Sequence, residues 1–119
     1  MKRIVISLLA VAAAMSTAYA QQTLVEVDDK VEVPALGANA DTVDDWDVYL
    51  TDGTEIGEVE DVVGTDRTTP TALVVDFDNR AGYPDRDIVV PLEHFARTNN
   101  RLILNADASV VGAMQRWSD

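Results

Sequence analysis

Beyond residue 45, apolar and polar positions alternate with a period near two, the pattern of strands that bury one face. Trp46, Val48 and Leu50 share one side of a short strand, and Thr51-Asp52-Gly53-Thr54 then reads as a turn in which Gly53 is free to take positive φ. The next strand runs from Glu55 to Val63. Ile56 and Val59 are an odd number of residues apart, which a flat strand cannot place on one face, so the pattern predicts a β-bulge at Gly57. A helix is disfavoured there by the β-branched Val59, Val62 and Val63 and by Gly57 itself.

Gly64 to Pro70 reads as a loop. Thr71 to Phe77 carries Leu73, Val74 and Val75 in succession, as a strand covered on both faces does. Asp78 to Asp85 is a polar loop with Gly82 and Pro84, and Asp87 to Pro91 is a strand that ends where Pro91 lacks a donor. Leu92 to Phe95 suits one helical turn, Thr98-Asn99-Asn100 a turn, and Arg101 to Asn105 a further strand. Capped by Asp107 or Ser109, a short helix follows, with Val110, Val111, Met114 and Trp117 on one stripe. Trp46 and Trp117 both lie on apolar stripes and are expected in the core. The fold class is therefore mainly β: a small barrel of about five to six short antiparallel strands with a short C-terminal helix, residues 45–117.

The chain ahead of this domain has two parts. Lys2 and Arg3, the apolar run Ile4 to Ala14, and Ala18-Tyr19-Ala20 stand in the order of a cleavable secretory signal peptide over residues 1–20. That run is shorter than the roughly 20 residues a bilayer span needs. The expected mature protein thus keeps no membrane span, and its expected address is the periplasm, with full secretion as the alternative. Residues 21–44 read as an acidic arm. Val25, Val27, Val31 and Val33 alternate with acids like a hairpin or edge strand, and Ala38 to Asp45 reads as a linker.

Charge narrows the partners. The 119-residue chain has 9 Lys and Arg against 21 Asp and Glu. Cleavage at Gln21 would remove two basic residues and no acid, leaving 7 against 21 and a net charge of −14 with His94 neutral. Such a surface repels phosphate backbones, so no nucleic acid is expected as a partner. The sequence has no cysteine, so neither a disulfide nor a thiolate metal site can form.

Reactive groups are sparse. Beyond residue 20 the serines are Ser109 and Ser118, near the C-terminus, and His94 is the only histidine. No nucleophile motif accompanies it, so an enzyme is not expected, and no cofactor is. Asp76, Asp78, Asn79, Asp85 and Asp87 gather oxygen ligands around one loop. Arg80 and Ala81 stand where an EF-hand needs an oxygen ligand and a glycine, which leaves an acidic divalent-cation binder only as the alternative reading. The candidate partner-contact loop is Asp78, Arg80, Tyr83, Asp85 and Arg86, which mixes the Arg and Tyr types common at interface hot spots.

These segments also resemble a family. Asp47-Val48-Tyr49, Asp52-Gly53 and Glu55-Ile56-Gly57-Glu58-Val59-Glu60-Asp61-Val62-Val63 are similar to the opening of a PRC-barrel domain: a strand, a D-G turn, then I-G-x-V-x-D-hydrophobic. Ala72-Leu73-Val74-Val75 resembles its third strand, Asp87-Ile88-Val89-Val90-Pro91-Leu92 its D-[VI]-x-V-P stretch, and Arg101-Leu102-Ile103-Leu104-Asn105-Ala106 its closing strand. Where many stand-alone members carry a Gly- and aromatic-rich loop, this chain has Asp78 to Arg86. The resemblance implies a docking module without catalysis. The expected partner is a protein of unknown identity, a second copy of the chain included.

Overall fold

The computed structural model describes residues 22–99 and 101–118. The expected signal peptide, residues 1–20, lies outside the described residues. In chain order the strands are β1 (Val25–Glu26), β2 (Glu32–Val33), β3 (Ala38–Asn39), β4 (Asp47–Tyr49), β5 (Glu55–Asp66), β6 (Thr69–Phe77), β7 (Asp87–Pro91), β8 (Phe95–Thr98) and β9 (Arg101–Leu104). Helix α1 spans Ala40–Val43, a 3-10 turn spans Leu92–His94, and α2 spans Ala108–Gly112. Among the described residues no helix is long and apolar enough to cross a membrane.

One seven-stranded sheet has the order β7-β6-β5-β4-β9-β8, with β1 added beside β5. Its two end strands, β7 and β8, are joined through the 3-10 turn Leu92–His94 alone. Three residues reach only about 10 Å, so the two edges must approach each other at that end. This short connection curls the sheet into a half-barrel. It also sets one strand direction. β8 continues the direction of β7, and β9 turns back, which makes β9 parallel to β4 in the register Asp47↔Arg101 to Tyr49↔Ile103. The expectation of antiparallel strands throughout is corrected at this pair.

β5 is the spine. It pairs along one edge with β6 and along the other with β4 and then β1. The expected bulge is found beside Gly57: opposite β4 the register skips Ile56, and opposite β6 it skips Glu60. Each skip reverses the alternation, so Ile56, Val59 and Val62 all reach the main core. Gly57 and Gly64 allow close backbone approach. A Cβ on Gly64 would lie 1.8 Å from the Thr69 carbonyl oxygen.

The expected loop from Gly64 to Pro70 shrinks to Arg67 and Thr68. The Asp66 carboxylate accepts from the Thr68 N–H and from the Thr68 and Thr69 hydroxyls, each at 2.9 Å, and so folds a tight turn. These bonds hold the Asp66 carboxyl below its ordinary pKa. Arg67 pairs with Asp28, tying the hairpin tip to the N-terminal segment.

The N-terminal segment is not a linker. Val27, Val33, Leu36, Ala40 and Val43 are buried in the main core with Trp46, Val48, Leu73, Val75, Phe77, Leu102 and Leu104. Asn39 caps α1 by accepting from the Thr42 N–H at 2.9 Å. Its core residues are single apolar positions between turns, so no periodicity announces them.

A smaller cluster lies on the outer face: Val63, Ala72, Val74 and Val89, with Leu24 and Trp117 packed against it. The expected helical stripe therefore breaks. α2 stops at Gly112, Met114 stays in the main core, and Trp117 turns to the outer face. The tail instead runs along the free edge of β7. The Val89 N–H donates to the Gln115 carbonyl at 2.7 Å, and the Trp117 N–H donates to the Asp87 carbonyl at 3.0 Å. An otherwise exposed strand edge is thereby covered.

Candidate functional site

The 78–86 loop leaves β6 and returns to β7 at the end of the half-barrel that holds the β4–β5 turn and the β9–α2 junction. Its backbone is sharply folded. Asn79, Ala81 and Gly82 have φ of 60°, 54° and 84°. The Asp78 N–H donates to the Ile56 carbonyl and the Tyr83 N–H to the Arg80 carbonyl, each at 2.9 Å.

Tyr83 is the anchor, and here the sequence reading is corrected. It was expected to face a partner, yet it is only 5% exposed and belongs to the main core. Its ring stacks on Phe77 with centroids 5.6 Å apart, and its hydroxyl donates to the Ala106 carbonyl at 2.5 Å. Burial, with the Asp107 carboxylate second, pushes its pKa up. The reason is topological. The loop must bridge over the barrel end, and one aromatic side chain with a polar tip fills that end while reaching an acceptor.

The other predicted contact residues are exposed: Asp78, Arg80, Asp85 and Arg86. Arg80 Nη1 reaches the Glu55 carbonyl at 3.4 Å, and the Arg86 carbonyl accepts from the Phe77 N–H at 3.3 Å. Among the described residues no ion pair joins Arg80 or Arg86 to Asp78 or Asp85. The loop therefore offers two cationic and two anionic side chains on a backbone fixed from below.

The acids gathered in sequence around this loop separate in space. Asp76 and Asp87 are register partners on β6 and β7, whereas Asp78 and Asp85 stay in the loop. Glu60, from the bulge in β5, joins the pair, and the carboxylate oxygens of Glu60, Asp76 and Asp87 lie within 4.8 Å of one another. Glu60 was not singled out from the sequence, because only the bulge turns it toward Asp76. Glu58 and Asp47 extend the same row across β5 and β4.

His94 ends the 3-10 turn beside a shallow hollow of about 410 Å³ lined also by Asn105, Ala106, Asp107 and Val110. Its Nε2 is screened from solvent and has no hydrogen-bond partner among the described residues, and the Glu93 carboxylate lies 3.8 Å away. Among the described residues no hydroxyl or thiol lines that hollow. Arg97 stacks over Trp46, 4.7 Å from the ring centre, and Arg101 over Tyr49 at 4.3 Å.

A curled sheet sealed by its own tail, with one rigid charged loop at its end, defines a small β-barrel module. The family model of the PRC-barrel domain matches residues 38–111, and the chain belongs to that family. The match begins at Ala38, inside the stretch read as a linker, in keeping with the burial of Ala40 and Val43. Among curated proteins no sequence matches the chain.

Proposed function

We propose that this PRC-barrel protein is a non-enzymatic binding module of the periplasm, or of the secreted fraction, that presents the 78–86 loop to a protein partner. The observation that carries this reading is the division of labour within the loop. Tyr83 is buried and bonded to Ala106, while Asp78, Arg80, Asp85 and Arg86 stay exposed. A loop already ordered loses little entropy on docking, and its Arg residues supply directional donors. The order of charge, apolar run and Ala18-Tyr19-Ala20 in the sequence supports export.

The test is crosslinking and capture from periplasmic extract with the wild type and with Arg80→Ala/Arg86→Ala. Tyr83 is left in place so that the loop keeps its shape. Loss of a specific partner in the variant supports the reading, and an identical captured set removes it. Sedimentation of the purified protein shows whether the partner is a second copy. Cell fractionation with N-terminal sequencing tests the address, with Gln21 the expected first residue.

A second reading, a divalent-cation binder, has one observation in its favour, the grouping of Glu60, Asp76 and Asp87 on adjacent strands. Calorimetry with calcium tests it. Heat of binding that is lost in Asp76→Asn supports this reading, and no heat and no rise in melting temperature at millimolar calcium removes it.

A further inference from the structure

Asp44 follows α1 directly, between the buried Val43 and the pair Asp45-Trp46. Its Oδ1 is sealed from solvent and has no hydrogen-bond partner among the described residues. Burial without a partner disfavours the ionised carboxylate. The neighbours act in the same direction. Asp61 on β5, Asp29 between β1 and β2, Asp41 on α1 and Asp45 beside it all raise the energy of a negative charge there. The cations of this region are Lys30 in the segment itself, Arg67, which pairs with Asp28, and Arg97, which lies over Trp46 and donates to the Leu36 and Gly37 carbonyls. The groups acting on Asp44 are the four carboxylates.

The backbone holds these pieces together. The Ala40 N–H donates to the Val31 carbonyl at 2.9 Å, the Asp41 N–H to the Asp29 carbonyl at 3.0 Å, and the Val59 N–H to the Trp46 carbonyl at 3.0 Å. Acids from the turn, from α1 and from β5 are therefore drawn toward one carboxyl group by the docking of residues 28–45. Separation of these elements would relieve the repulsion and hydrate Oδ1.

We propose that Asp44 is a proton-controlled latch: its neutral acid lets α1 and the preceding turn seat against β5, and its ionised form loosens residues 28–45. Burial first, and the four carboxylates after it, push the Asp44 pKa from 3.8 to about 7. An acid with a raised pKa binds its proton more tightly in the docked state. Its contribution to docking is full below the ordinary value of 3.8 and is lost as pH rises toward about 7. Loosening uncovers Val33, Leu36, Ala40 and Val43, which the segment otherwise holds in the core.

The experiment is a carbon-13 NMR titration of the Asp44 carboxyl, with exchange protection of the Ala40 and Asp41 amides corrected for intrinsic rates. The wild type should titrate near pH 7. Between about pH 5.5 and about pH 8.5, protection of both amides should fall about tenfold, a figure already reduced for the partial exposure of the group. In Asp44→Asn that loss should vanish. Asp61→Asn leaves Asp44 in place and should move its midpoint downward, which keeps the idea testable if Asp44→Asn folds poorly. A wild-type midpoint near 4, or the same loss of protection in Asp44→Asn, would overturn it.

Discussion

The Tyr83 hydroxyl donates to the Ala106 carbonyl, and this one bond joins the β6–β7 loop to the junction ahead of α2. Tyr83→Phe keeps the stacking on Phe77 and removes only the donor. A net hydrogen bond is worth about 1 kcal/mol, so urea unfolding should show a loss of that size. Tyr83→Ala also empties the barrel end and should cost about 3–5 kcal/mol, the range for buried aromatic truncations. If Phe and Ala prove equally harmful, the bond rather than the packing holds the loop.

Tyr83 also marks where sequence reading ran out. An aromatic between Gly82 and Pro84 in a polar loop looks exposed, and only the curl of the sheet reveals that the barrel end needs filling. The strands rich in Val, Ile and Leu were legible because they bury a face in every register, and so was the alternation break near Gly57. β8 was not legible. Phe95-Ala96-Arg97-Thr98 is an edge strand with three exposed members, and its pattern is weak. The candidate loop was placed correctly as a loop, but its division into anchor and exposed charges depends on contacts distant in sequence. Asp44 carries no local signal beyond being an acid beside Val43 and near Trp46.

Three glycines with different surroundings should respond differently to alanine. At Gly64 the new Cβ would lie 1.8 Å from the Thr69 carbonyl oxygen, which belongs to paired backbone and cannot swing aside. Gly64→Ala should cost about 4 kcal/mol or more, or prevent folding. Gly53 has open space but a φ of +92°, so alanine there should cost about 1 kcal/mol through backbone strain. Gly112 ends α2 in open space, and alanine there should stabilise by about 0.5–1 kcal/mol. Thermal melts of the three variants should fall in that order, and a mild Gly64→Ala would show that the β5–β6 approach is loose.

Arg97 ties the N-terminal segment to the opposite edge of the sheet. Its guanidinium lies over Trp46 while Nη1 donates to the Leu36 carbonyl at 3.0 Å and reaches the Gly37 carbonyl at 3.3 Å. Arg97→Lys keeps the charge but not the planar stack or the fork. It should lose about 1 kcal/mol and shift the emission of Trp46. Trp117 also fluoresces, so the measurement uses a Trp117→Phe background. Unchanged emission would mean that the stack does not order the ring.

The tail carries the last prediction. Gln115 to Trp117 occupy the edge of β7, the Gln115 side chain exchanges two 2.9 Å bonds with the Gln22 backbone, and Trp117 covers Val63, Ala72, Val74 and Val89 together with Leu24. Ending the chain after Met114 would expose an unpaired strand and an apolar patch side by side, the combination that recruits strands from other molecules. The truncated protein should bind a hydrophobic dye and associate at concentrations where the full chain does not. Trp117→Ala keeps the backbone bonds to β7 and uncovers only the patch, so it should bind dye with little association. Association of equal strength in both would place the hazard in the apolar surface, and a truncated protein that stays monomeric and dye-free would show that the tail guards neither.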